Sequence, residues 1–388
     1  MQKLIVRGES SEPQRNNFDA LRLGLAVLVV WSHSFALHLG SERTEWLSLL
    51  LNGTYNAGNL AVMAFFIISG FLITQSYERS RSVRSYCGKR IRRIYPGYMV
   101  ATTICAFIVI PVFAQNVRID AAEVGKTFAL NLLLQGHFVT ANAFPMNSGH
   151  GVNGSLWSIF YEFWCYIGVA LLGALGLTSR RSFLVPFLVA VMLARVGCDL
   201  LGKTPGYPVF DTIFGWPYLW TKMLPCFLLG MVAYSYRQVL PQSLPLLTGL
   251  LFTAIAASWI NKHLADLIVA PALSYGVFYF AFTDEIRLHE AARFGDFSYG
   301  TYLYAFPIQQ MLQATVGRSW TMPTFIAVSI VLSLLAAVLS WHLVERWFLP
   351  RRVAARASPP IHKGVVAAPI LAASPASLIV ATTDDAGG

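Results

Sequence analysis

Long apolar runs broken by short polar stretches dominate this chain, and ten of them have the length and continuity of a bilayer-crossing helix. Their approximate bounds are 19–39, 57–77, 97–115, 158–177, 182–198, 217–236, 244–260, 264–283, 298–316 and 322–343. Several are short for a hydrocarbon core of about 30 Å. The pattern predicts an all-α, polytopic integral membrane protein with about ten transmembrane helices. Residues 1–17 are polar and of mixed charge, and the first apolar run is too long for the core of a cleavable signal, so that run is expected to stay as a helix.

Polar residues inside the runs are few, which makes each of them informative. Arg22 opens the first run and His33 lies eleven positions later. Eleven steps of about 100° return a helix almost to the same face, so the two share a stripe. At a rise of about 1.5 Å per residue they are roughly 16 Å apart along the axis, the cation near a membrane surface and the imidazole near mid-depth. An uncompensated charge within a span costs on the order of 2.5–3.5 kcal/mol even on the lenient insertion scale, so each polar residue there asks for a partner or a function.

Composition agrees with the pattern. Of 388 residues, 55% are hydrophobic and 12% charged, which leaves too few charges to cover a soluble surface. The net charge of +10 reads as a topology signal, because the cations sort by loop. With the N-terminus in the cytoplasm, Arg79, Arg81, Arg84, Lys89, Arg90, Arg92, Arg93, Arg180, Arg181, Arg237, Arg287, Arg293, Arg346, Arg351, Arg352, Arg356 and Lys363 fall inside. The outside keeps Arg43, Arg118, Lys126, Arg195, Lys203, Lys222, Lys262 and Arg318, interspersed with acids. Both termini are then cytoplasmic. No basic patch interleaved with aromatics suggests a nucleic-acid partner. The five cysteines, Cys87, Cys105, Cys165, Cys198 and Cys226, show neither paired nor metal-ligand spacing. The longest loop, about 116–157, carries His137, His150 and a Gly/Asn-rich stretch on the outside. Residues 1–357 form the transmembrane domain on this reading, and 358–388, rich in Ala, Ser, Pro and Val, a disordered cytoplasmic tail.

Four polar constellations stand out. In the first, His33 could serve as general base with Arg22 steadying an oxyanion or phosphate, or the pair could be a packing hydrogen bonder and an interfacial anchor. The second is Phe65-Phe66-Ile67-Ile68-Ser69-Gly70-Phe71-Leu72, whose Ser69-Gly70 step admits close approach of a ligand or simply of another helix. In the third, Arg90-Ile91-Arg92-Arg93-Ile94-Tyr95-Pro96, forked cations suit phosphate binding or anchoring on membrane lipids. The fourth places Glu162 inside a span after Trp157-Ser158, where it must be paired, protonated or facing water. It could pair with Arg or His from another helix, or hold a base in its correct tautomer.

In this order, and with Ser298-Tyr299-Gly300-Thr301-Tyr302-Leu303 and the closing Glu345-Arg346, the constellations resemble the acyltransferase 3 family of integral membrane O-acyltransferases. That family includes bacterial enzymes acylating lipopolysaccharide O-antigen, exopolysaccharide and Nod factor. The resemblance spans roughly residues 16–350. It implies an inner-membrane enzyme that moves an acyl group, commonly acetyl from acetyl-CoA on the cytoplasmic side, to a hydroxyl of an extracytoplasmic glycan or polysaccharide, without a metal. His33 corresponds to the family's essential histidine, Arg22 to its paired arginine, and Arg90 and Arg93 to arginines proposed to hold the CoA phosphates. Ser69 and Gly70 are carried with that donor site, and Glu162 with the catalytic set. Ala20, Ala305 and Trp347 depart from the family pattern; Ala305 stands where many members carry histidine, which leaves the acid/base work to His33. The competing class is a transporter or flippase of a glycan precursor, whose Arg, His and Glu would line a pathway.

Overall fold

The computed structural model describes residues 2–3, 16–114, 121–138, 143–283 and 285–349, which belong to one compact unit. The predicted tail at 358–388, and with it Arg118, Arg351, Arg352, Arg356 and Lys363, lies outside the described residues.

All ten apolar runs fold as helix. In chain order the helices are α1 Phe18–Leu39, α2 Trp46–Leu50, α3 Ala57–Glu78, α4 Val83–Phe113, α5 Ala121–Leu132, α6 Trp157–Ala174, α7 Arg181–Leu200, α8 Pro208–Phe214, α9 Pro217–Ser235, α10 Leu244–Ile260, α11 Lys262–Phe282, α12 Ser298–Thr315 and α13 Met322–Phe348. A two-residue antiparallel pairing joins β1 Gln2–Lys3 to β2 Pro241–Gln242. Among the described residues seven helices, α1, α3, α4, α6, α7, α11 and α13, are long and apolar enough to cross a membrane. The expected count of about ten is not reached on this measure: α10 has only 17 residues, Lys222 interrupts α9, and Gln309, Gln310 and Gln313 dilute α12.

Two local expectations change. The basic stretch expected as a loop before a span is itself helical, because α4 begins at Val83, capped by the Ser82 side chain, and runs for 31 residues through Pro96. Tyr299 donates to the Ile94 carbonyl at 2.7 Å, in the turn that the ring of Pro96 disturbs. The outer loop is not structureless either, since α5 occupies part of it.

At the centre α3 and α9 touch backbone to backbone. A Cβ on Gly70 would stand 2.0 Å from the Phe227 carbonyl oxygen, and one on Gly230 would stand 2.1 Å from that of Ile67. No side chain fits there, which is how small residues allow helices to associate where lipid supplies no hydrophobic drive. Around this contact Phe71 packs on Phe18, Phe278 and Phe282, tying α3 to α1 and α11.

The connections gather at two ends of the bundle. At one end Asn17 donates to the Ala281 carbonyl, Tyr234 and Ser179 donate to Glu78, and Arg93 meets Asp296 and Glu345. At the other, Trp259 donates to the Leu50 carbonyl, Arg318 to that of Met146, and Arg195 to Asp266. We refer to them as the Arg22 end and the Lys222 end.

Candidate active site

The stripe predicted for α1 is real, and it faces α12. At its base Arg22 donates to Asp296 Oδ2 at 2.9 Å, just ahead of the first residue of α12. Nearer the Lys222 end the His33 ring packs edge-on against Phe306 of α12, centroids 5.2 Å apart. The two do not meet, as their separation along the helix requires.

Arg22 instead shares a pocket with Glu162. Val62, Phe65, Phe66, Ser158, Ile159, Ser298, Tyr299 and Tyr302 complete its lining, so α1, α3, α6 and α12 all contribute. Glu162 is held in place: Ser69 Oγ donates to its Oε1, and the Tyr166 hydroxyl, one turn along α6, donates to the same oxygen at 2.6 Å. Its hydrogen-bond partners are therefore a serine and a tyrosine, and neither an arginine nor a histidine bonds to it among the described residues. Opposite it, Ser158 and Tyr302 share a hydroxyl–hydroxyl bond of 2.6 Å. Ser69 thus reaches the site through Glu162, whereas Gly70 faces α9 and is consumed by helix packing. A second pocket, between α4 and α5, is lined by apolar and uncharged residues such as Met99, Phe107 and Phe128 and offers no acid or base.

The arginines of α4 divide. Arg93 donates to Asp296 at 2.6 Å, lies 3.5 Å from Glu345, and stacks over the Tyr299 ring at 5.2 Å. Its fork is occupied, which does not suit a phosphate-binding role. Arg90, one turn earlier, has a bond of 3.3 Å to Ser76 Oγ, and its Nε is buried without a partner among the described residues. A buried donor left unpaired asks for an acceptor. Asp296, which sequence reasoning did not single out, ties Arg22 to Arg93. Burial alone would raise its carboxyl, yet Arg93 and Arg22 outweigh that and hold it well below the usual carboxylate range. Its sequence signal is its place, two residues before the Ser298-Tyr299-Gly300 motif.

Three consecutive residues of α1 ending at His33 carry unsatisfied polar atoms, while Ser34 and Gln309 beside them are bonded. His33 Nδ1, Ser32 Oγ and Trp31 Nε1 are buried with no hydrogen-bond partner among the described residues. The outer loop closes over this region. Asn147 donates to Gln310, Gln310 donates to the carbonyls of Gly149 and Gly151, and Gly154 abuts the Phe306 ring that touches His33. His150 caps the Phe144 carbonyl at 3.2 Å and the backbone of His137 is tied to Asn131, so neither is drawn into the Arg22–Glu162 pocket.

An integral-membrane helical bundle with half-buried Arg22, Glu162 and His33 in its helices is the class that fold and site define. The chain belongs to the acyltransferase 3 family, whose acyltransferase domain matches residues 15–342. It is 31% identical over 363 residues to the O-acetyl transferase of Shigella phage Sf6, covering 87% of this chain and 96% of that protein. It is 28% identical over 360 residues to nodulation protein 10 of Rhizobium leguminosarum bv. viciae, covering 87% and 94% respectively. No solved structure matches. The protein is an acyltransferase, and its relatives support a membrane O-acetyltransferase; family membership takes the enzyme over the transporter.

Proposed function

We propose that this enzyme moves an acetyl group from acetyl-CoA, bound at the Arg22 end on the cytoplasmic side of a bacterial inner membrane, to a hydroxyl of a glycan reaching His33 from the other side. The observation that carries the reading is the unpartnered His33 Nδ1, buried on the same helical stripe as an arginine that lines a pocket with a carboxylate. A hydroxyl is a poor nucleophile until its proton is removed, and a positioned imidazole contributes roughly 10²–10⁴ to that step. In the transfer His33 takes the hydroxyl proton as the oxygen attacks the thioester carbonyl, the new C–O bond forms, the C–S bond breaks, and the proton passes to the departing sulfur.

At the donor end Arg90, with its spare Nε, is the residue suited to hold a CoA phosphate. Arg93 is the residue that fixes Asp296 and Glu345. Arg22 and Glu162 set the field of the pocket, Ser69 and Tyr166 holding the carboxylate still. The test is direct. Purified protein supplied with acetyl-CoA and a glycan acceptor should consume the thioester and raise the acceptor mass by one acetyl group. Thioester consumption absent under conditions where the protein is folded, or a mass increment of another acyl chain, overturns the donor assignment.

A further inference from the structure

The Lys222 end contains a second group of buried charges that the acyl-transfer reading does not use. Arg195 of α7, Lys222 of α9 and Asp266 of α11 line one pocket with Tyr55. Both oxygens of Asp266 are taken: Tyr55 donates its hydroxyl to Oδ1, and Arg195 Nε lies 3.3 Å from Oδ2. Asp199 accepts from Tyr218 at 2.6 Å and lies 3.5 Å from Arg195 and 3.7 Å from Lys262.

Against this background two cationic groups keep open donors. Arg195 is 9% exposed and stacks over the Tyr218 ring, yet its Nη1 has no hydrogen-bond partner among the described residues. Lys222 Nζ reaches only the Asn59 side-chain oxygen, at 3.3 Å, and the face of Tyr55; no described carboxylate lies within ion-pair distance. Glu42, on the neighbouring connection, is bonded to Asn56, and burial with the adjacent Glu45 pushes its carboxyl above the usual range, which weakens it as a counter-charge. Asp266 lines this pocket and Asp199 stands beside it, so Arg195, Lys222 and Lys262 face two carboxylates, and an anion on the open donors offsets the excess charge and its desolvation.

We propose that Arg195 and Lys222 form a phosphate-type oxyanion site at the end of the bundle opposite Arg22, with Lys222 as a point donor and the Nη1 edge of Arg195 as the second. The site lies at the depth of His33: a Cβ on Gly58 would touch Ser32 Oγ at 2.9 Å, and the next residue, Asn59, is the one that holds Lys222. The occupant is a phosphate group entering from that end, either a lipid headgroup or a soluble phosphate ester.

The test uses the full-length protein in nanodiscs of zwitterionic lipid, with inorganic phosphate as probe and the thermal unfolding midpoint as readout. Phosphate should raise the midpoint of the wild type, and Lys222→Gln should raise the apparent dissociation constant about tenfold, the loss of one charge-assisted contact. Lys222→Met, of similar length, supplies the same loss should the glutamine variant not be recovered folded. Saturating CoA in every sample occupies the donor site at Arg90, and Arg346→Gln, at an exposed cation of the other end, should leave the shift intact. Adding anionic phospholipid to the disc separates the sources: a phosphate shift that disappears assigns the site to a headgroup, and one that persists assigns it to a soluble phosphate. No shift in the wild type, an equal shift in Lys222→Gln, or a shift abolished only in Arg346→Gln overturns the proposal.

Discussion

The two halves of α1 treat buried polarity in opposite ways. In the first half Arg22 is paired with Asp296, which it shares with Arg93, so its charge is part of the scaffold. In the second half Trp31, Ser32 and His33 keep buried polar atoms with no partner among the described residues. The same contrast recurs one turn apart on α4, where Arg93 is engaged by carboxylates and Arg90 retains a free donor. A buried polar group satisfied by the protein builds and tunes; one left unsatisfied costs stability and marks where a ligand completes the bonding.

The sharpest way to break this contrast is at His33. His33→Gln keeps size and hydrogen bonding but cannot cycle a proton, so acetyl transfer should fall by about 10²–10⁴ while the unfolding midpoint barely moves. Near wild-type transfer by this variant would make His33 a packing residue and leave Glu162, His137 and His150 as candidates for the base.

The paired half should respond the other way. Asp296→Asn leaves two arginines facing an uncharged amide and should cost about 3 kcal/mol in stability, read by thermal unfolding in detergent. The sign with pH follows from the depressed carboxyl: the pairing contributes above the unfolded-state value of about 3.9 and is lost as pH falls toward the folded value. The stability gap between Asp296→Asn and wild type should therefore shrink in acid. A gap that widens in acid refutes the pairing as the source.

On α4 the contrast becomes a kinetic difference. Arg90→Lys should raise the Michaelis constant for the acyl donor about tenfold with a stable fold, since a lysine loses the forked geometry. Arg93→Lys should chiefly lower stability. Equal effects of both variants on donor dependence would erase the distinction.

The smallest effect is expected at Gly154, where an added Cβ would lie 2.6 Å from the Phe306 ring. Gly154→Ala should press that ring toward His33 and lower turnover a few-fold, about 1 kcal/mol in barrier, with the donor constant unchanged. Unaltered turnover would show that the loop does not communicate with His33.

Much of this architecture is legible in the amino-acid sequence alone. Apolar run length determines where helices form and the ordered motifs carry the family, because each depends on neighbours in sequence or on a simple solvent preference. Arg22 and His33 share a face by helical periodicity. Who meets whom is a different matter, and it is decided in three dimensions. Asp296 joins Arg22 and Arg93 across 274 and 203 residues, Ser69 reaches Glu162 across 93, and Gly70 meets α9 instead of a ligand. Hydropathy states that a segment prefers lipid or helix neighbours but not how it is rotated or which segment lies beside it. Those choices are made by close packing of small residues and by the need of each buried charge for a counterpart, and both are properties of the assembled bundle.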